Sequence, residues 1–361
     1  MKKIAVASVF GALLASSVHA QSSVTLYGIV DQSLRYTTNS DASNHSLVQL
    51  TNGAITNSRW GLKGAENLGG SLKAVFQLEN GFDPDTGRAN QGGRLFGRQA
   101  YVGLAGDLGA IKLGRQYTEV FKFFGDFDPL TLGNYTANVW PYLVTQFRSD
   151  NVVSYEGSFS GLDLGASYGF GEKAGSFTSS QYWGTRASYK IGAFAIGAMY
   201  QEVRDASSNR QQMWGAAGIY TVGATKLFLG YVGAKDRTGI TDATLNADPA
   251  ASSIANPVPA GGNFIDNPRK DTIGYLGLTY QATPALAVTG VFYYDDAKNV
   301  NGLSGNGGKR YTGVLLAEYA LSKRTQVYGT IDYNKVSGGS ITELPGKTNQ
   351  TGVAAGIRHI F

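Results

Sequence analysis

The 361-residue chain has no cysteine, so disulfides, thiolate nucleophiles and thiolate metal sites are all excluded. Histidine is nearly absent too, with three in all, at positions 19, 45 and 359. No His/Asp/Glu spacing suited to a metal is present, and no cofactor is expected. Beyond the N-terminal stretch no apolar run approaches the ~18 residues of a membrane-spanning helix, which excludes a helical membrane protein. The 31 basic and 26 acidic residues are nearly balanced, and the bases form no run. Nucleic acid is therefore not an expected partner. Proline, at nine residues, is sparse.

What is present points elsewhere. Met1-Lys2-Lys3 precedes an uncharged stretch from Ile4 to Val18 and then His19-Ala20. A basic start, an apolar middle and a small residue at the end make a secretory signal peptide over residues 1–20, with cleavage expected after Ala20. Downstream, glycine (49), tyrosine (21) and phenylalanine (17) are abundant. That composition suits twisted strands bordered by aromatic girdles.

The dominant pattern is alternation. Val24, Leu26, Gly28, Val30, Leu34 and Tyr36 share one face of segment 24–36, against Thr25, Asp31, Ser33 and Arg35, with Tyr27 and Ile29 as exceptions. Ala74, Phe76 and Leu78 alternate with Lys73, Gln77 and Glu79. Val327, Gly329, Ile331 and Tyr333 alternate with Gln326, Tyr328, Thr330, Asp332 and Asn334. Period two means strands with one apolar and one wet face. Both a soluble sandwich and a membrane barrel fit that.

Connections separate the two. Short ones centre on 66–70, 106–109, 158–162, 190–193, 221–225, 282–285 and 321–325. Long ones cover about 37–54, 81–93, 117–147, 170–182, 203–212, 235–270, 296–309 and 336–350. Fifteen connections in strict alternation define sixteen strands of about ten residues, which at ~45° tilt climb about the ~25 Å of an outer-membrane apolar band. The last strand, Thr351 to Phe361, ends on an aromatic and is expected to pair with the first. The fold class expected is all-β, a sixteen-stranded antiparallel transmembrane β-barrel over residues 21–361.

Several motifs carry a resemblance. Gln21-Ser22-Ser23-Val24-Thr25-Leu26-Tyr27-Gly28, Ser58-Arg59-Trp60-Gly61-Leu62-Lys63-Gly64, and Arg98-Gln99-Ala100-Tyr101-Val102-Gly103-Leu104 occur in order. Leu113-Gly114-Arg115-Gln116-Tyr117, Tyr319-Ala320-Leu321-Ser322-Lys323-Arg324-Thr325 and Arg358-His359-Ile360-Phe361 follow. As an ordered set they resemble the Gram-negative trimeric general porins, especially the neisserial and Burkholderia-like branch. The resemblance implies a homotrimer in outer-membrane lipid and lipopolysaccharide, passing small hydrophilic solutes and anions. It also implies that the third loop folds inward and narrows each barrel. Loop 117–147 has 31 residues and carries Phe121, Phe123, Phe124, Phe127, Tyr135, Trp140 and Tyr142. A loop of that length and apolarity packs against something, either the inner wall or neighbouring external loops.

A diffusion pore needs fixed charges at a polar narrowing. Alternation points Arg59 and Arg148 inward, and the resemblance carries both into a basic cluster. Arg115 fits the cluster by its Leu-Gly-Arg-Gln context, although period two places it beside Ile111 and Leu113; the resemblance is followed. Arg98 is ambiguous, sharing a face with Val102 and Leu104. The acidic counterparts expected are Glu79 on the wall and Glu119, Asp126 and Asp128 on the loop. With at least three arginines set against these acids, a weak to moderate anion preference is expected. Alternatives are a substrate-preferring porin and an adhesion barrel with a closed lumen. An outer-membrane hydrolase is disfavoured, because His45 and His359 are expected at opposite ends of the barrel, which disfavours a shared Ser–His–acid set.

Overall fold

The computed structural model describes residues 23–133, 135–246, 266–346 and 348–361. The signal peptide expected at 1–20 and most of the 235–270 connection lie outside these residues. The strands are β1 (Ser23–Thr37), β2 (Leu47–Asn52), β3 (Arg59–Gly69), β4 (Leu72–Gly81), β5 (Gln99–Gly106), β6 (Gly109–Tyr117), β7 (Arg148–Phe159) and β8 (Leu162–Gly169). They continue as β9 (Tyr182–Ile191), β10 (Phe194–Arg204), β11 (Arg210–Val222), β12 (Thr225–Asp236), β13 (Arg269–Gln281), β14 (Leu286–Lys298), β15 (Gly308–Ala320), β16 (Thr325–Gly338) and β17 (Asn349–Ile360).

Each strand from β3 onward pairs antiparallel with the next, and β17 returns to β1 with Ile29 opposite Ile360. On its other edge β1 pairs with β3 over Ser23–Ile29 and with β2 over Gln32–Thr37. Two segments thus share one stave, interrupted at 53–58, and the seventeen segments close a sixteen-stranded barrel. Segment 47–52 was expected to be loop. It is strand because Val48 and Leu50 continue the exposed apolar row beside Leu34 and Tyr36. All seven short turns lie where the sequence places them, at the gaps between β3 and β4, β5 and β6, and so on to β16.

Alternation sets the two faces. On β1, Val24, Leu26, Val30, Leu34 and Tyr36 are exposed, whereas Asp31, Ser33 and Arg35 are buried. On β16 the exposed residues are Ile331 and Tyr333, and Tyr328, Thr330, Asp332 and Asn334 are buried. An apolar exterior on a closed sheet is the surface that hydrocarbon requires, since closure leaves the wall without a free strand edge. Exposed Tyr155, Phe159, Tyr189, Phe194, Tyr220, Tyr280 and Tyr319 gather near the short turns as an aromatic girdle.

The inner face departs from expectation on one side. Alternation alone makes this face polar, and packing of the aromatic third loop was expected either on the inner wall or on neighbouring external loops. Met199, Met213, Phe228, Val232, Ile273, Tyr275, Val291, Tyr293, Val314 and Leu316 instead occupy the buried row of β10–β15. They form one cluster with Phe123, Phe124, Phe127, Trp140 and Tyr142 from the third loop. Each large side chain buried this way contributes about 1.5–3 kcal/mol, which anchors the loop firmly.

Candidate pore constriction

The third loop is built from two short helices, Glu119–Phe127 and Thr136–Leu143. Val120, Phe123, Phe124 and Phe127 recur at helical spacing and are all buried. That stripe lies against β8–β11, and Phe124 meets Tyr275 of β13 edge to face at 6.3 Å. The second helix is fastened by Trp140, whose indole donates to Thr312 of β15 at 2.8 Å. Asn334 of β16 donates to Asn138 at 2.9 Å, and the Tyr135 and Ser33 hydroxyls pair at 2.7 Å. The loop therefore touches inner-row side chains on many staves, from β8 round to β1.

Beside the loop, the wall of β1, β3 and β7 and the approach to β5 carries arginines. Arg35, Arg59, Arg98 and Arg148 line a common cavity of about 240 Å³, whose other lining residues include Asn52, Gln91, Phe121, Tyr135 and Asp85. Aromatic rings hold these guanidinium groups. Arg35 lies 3.8 Å from the Tyr135 ring centre, and Arg148 lies 4.8 Å from Tyr117 and 5.4 Å from Phe121. Tyr117 and Phe121 are themselves stacked at 4.1 Å. Cation–π contact of this kind fixes the plane of a guanidinium and aims its N–H fan.

The carboxylates are placed unequally. Glu79 accepts from Arg98 at 2.8 Å, from Tyr27 at 2.9 Å and from Tyr117 at 3.1 Å. The Glu79 contact accounts for Tyr27, an exception to the alternation: its ring faces inward so that its hydroxyl reaches the acid. Arg35 is paired with Asp332 at 2.7 Å. The Arg59 side chain, by contrast, has no hydrogen-bond or ion-pair partner among the described residues, and its Nε is buried without an acceptor. Toward the short-turn end of the barrel, Lys112 and Lys122 both reach Glu156, at 2.6 and 2.7 Å, and Lys122 and Arg186 reach Glu119 at 3.0 and 2.9 Å.

The structure brings Arg59, Arg98 and Arg148 together around the cavity and places other members of the expected set elsewhere. Arg115 does not line the cavity. Gly114 pairs with Val152 but Gln116 pairs with Ser149, so Arg115 stands opposite Asp150 and Asn151 at a bulge. Gly114 has φ +130°, a conformation that a residue with a Cβ rarely adopts. Arg115 is spent on Asp150 at 2.6 Å and on the Gly97 carbonyl at 2.7 Å. Asp128 is also not a lining group. It is fully buried, accepts from Tyr142 at 2.8 Å and Tyr293 at 2.5 Å, and takes the Leu132 amide at 2.9 Å. Burial pushes its carboxyl above the usual carboxylate range, although those donors work in the opposite direction. Glu119 is buried and neutralised by Lys122 and Arg186, whereas Asp126 is exposed.

Sequence reasoning left out Arg35 and Asp85. Alternation had put Arg35 on the polar face, but nothing local marks its ring partner one hundred residues away. The loop helices were missed as well, although Val120, Phe123, Phe124 and Phe127 carry the signal.

Comparison with known proteins agrees with this geometry. A family model described as Gram-negative porin matches residues 5–339. An outer membrane porin protein of Bordetella pertussis is 33% identical over the whole of both chains. Outer membrane porin protein 32 of Delftia acidovorans is 29% identical, over 97% of this chain and 98% of its own length. Among solved structures, an anion-selective porin from Comamonas acidovorans superposes with a TM-score of 0.73 at 26% identity, covering 94% of this chain and all of that one. The closed sixteen-stranded wall, its apolar exterior and its polar arginine-lined interior thus belong to a Gram-negative porin, an outer-membrane barrel through which small hydrophilic solutes diffuse.

Proposed function

We propose that residues 118–147 occupy the barrel interior, and that Arg35, Arg59, Arg98 and Arg148 face them across the narrowest stretch of the pore. In this reading the channel prefers anions weakly to moderately. The observation that carries it is the Arg59 guanidinium, which has no ion-pair partner of its own among the described residues and only shares the field of Glu79 with Arg98. Counting Asp85 and the two acids bonded to the arginines, four cations meet three anions. Water in the lumen makes such crowding tolerable, because two like charges ~4 Å apart repel by only about 1 kcal/mol there. The Comamonas relative, described as anion-selective, supports the same sign.

The reversal potential of the purified protein in a planar bilayer under a potassium chloride gradient tests this. Chloride is expected to permeate faster than potassium, and Arg148→Glu and Arg59→Glu shift the potential toward potassium. Clear cation selectivity of the unaltered pore, or no response to Arg148→Glu, rejects the assignment.

The same reading includes removal of residues 1–20 during export and assembly as a homotrimer among outer-membrane lipids and lipopolysaccharide. Both rest on family membership and on the sequence of the leader. Mass measurement of the outer-membrane form and cross-linking before extraction test them.

A further inference from the structure

We propose that the cavity beside Arg59 is a station for small amphipathic monocarboxylates, with an aromatic or branched aliphatic body, in preference to inorganic anions and short polar acids. The proposal deepens the pore reading and rests on it. Its basis is the mixed chemistry of the cavity. Its lining mixes Arg59 and Arg148 with Phe121, Leu132, Tyr135 and Ile55. A passage serving only hydrated chloride gains nothing from apolar groups at its charged point, since they supply no hydrogen bonds to an ion that must keep its water. A solute with one anionic end and one apolar end uses both kinds of group together.

Charge and size both match. Arg35 is engaged by Asp332 and Arg98 by Glu79, whereas Arg59 has no such partner. The balance of four cations against three carboxylates leaves room for one further negative charge, the charge of a monocarboxylate. Arg98 keeps a second opening, because its Nη1 is buried without an acceptor. A volume of about 240 Å³ exceeds the ~150 Å³ of an apolar cavity that holds benzene, so a single-ring carboxylate has room. The Tyr117–Phe121 stack fixes the Phe121 ring, so that the cavity is formed before the solute arrives.

Ion current through the purified protein in a planar bilayer provides the test, with sodium benzoate, sodium acetate and neutral benzamide added in turn to potassium chloride. Benzoate is expected to depress or interrupt the chloride current at a concentration about tenfold lower than acetate does, a ratio within reach of partial burial of one ring. Benzamide has no effect at the same concentrations. Arg59→Gln abolishes the benzoate effect, and Leu132→Ser brings benzoate toward acetate. Heat-modifiable gel mobility identifies the variants that have folded. Equal potency of benzoate and acetate on a conducting pore, or full benzoate potency in both folded variants, overturns the proposal. A purified protein that never conducts sinks the pore reading itself, which keeps the two failures apart.

Discussion

Arg98 and Glu79 meet at 2.8 Å between the start of β5 and the upper part of β4, with 2% and 4% of their side chains exposed. The same carboxylate receives the Tyr27 and Tyr117 hydroxyls, and Tyr117 also takes a hydrogen bond from Arg98. Glu79 therefore acts as the hub that fixes one arginine and two rings of the constriction wall. Removing one member of a buried pair strands the other, at a cost of about 3–5 kcal/mol.

Glu79→Gln tests that role. The amide keeps the shape but loses the charge, so one positive group on the wall goes uncompensated. The variant is expected to unfold at a lower denaturant concentration in detergent while its reversal potential moves further toward chloride. A variant as stable as the parent, or one shifted toward potassium, contradicts the assignment of Glu79 as a charge-balancing hub.

Arg115 provides the contrast. Its partner Asp150 is about one-third exposed and also binds Arg94, and the trio stands apart from the cavity lining. Arg115→Ala is expected to leave conductance and reversal potential as they are, and to cost about 1 kcal/mol of stability, as partly exposed pairs do. A large change in selectivity from Arg115→Ala, matching that of Arg59→Glu, restores Arg115 to the pore.

Why some of this was legible in the sequence and some was not follows from which forces are local. Alternation at β1, β4 and β16 reads directly because one face meets hydrocarbon and the other carries Asp31, Glu79 or Asp332. The glycine-containing turns read equally well, since a reversal within a few residues leaves few choices. Arg59 and Arg148 follow from the same parity. The pattern fails at Met213–Trp214, Phe228–Leu229 and Tyr293–Phe292, where both faces are apolar because Met213, Phe228 and Tyr293 pack in one cluster with rings of the third loop. No neighbour in sequence announces a partner a hundred residues away. At Arg115 the period-two parity and the motif resemblance disagree, and the Gly114 bulge is where the parity breaks: beyond it the side chain turns to Asp150.

The loop anchor can be loosened without touching a charge. Trp140 is 1% exposed, donates to Thr312 and lies 4.9 Å from the Arg310 guanidinium. Trp140→Ala leaves a cavity and takes one of two hydrogen bonds from the Thr312 hydroxyl, which still donates to Asn334, at about 3–5 kcal/mol. Because the loss falls on the loop and not on the wall's hydrogen-bond ladder, the barrel is expected to remain closed while the loop becomes mobile. Single-channel records should then show a larger and noisier conductance. A quiet channel of unchanged size means that the second helix does not bound the pore.

Barrel closure and the arginine wall share a residue. Gly28 exchanges two backbone hydrogen bonds with Phe361, at 3.1 and 3.0 Å, and is adjacent to the pairing of Ile29 with Arg59. A Cβ at position 28 would lie 2.3 Å from the Phe361 ring and 2.8 Å from the Arg59 carbonyl oxygen. The ring can swing toward lipid, but the carbonyl belongs to the sheet, so the strands must part by some tenths of an ångström. Overpacking of this kind costs about 1–3 kcal/mol. Gly28→Ala is accordingly expected to lower the temperature at which the folded band disappears on a gel and to weaken chloride preference through displacement of Arg59. Phe361→Ala relieves only the ring clash, so the double variant should regain part of the stability and little of the selectivity. Full recovery of both by the double variant would mean that the Arg59 backbone never moved, and that closure and charge placement are independent.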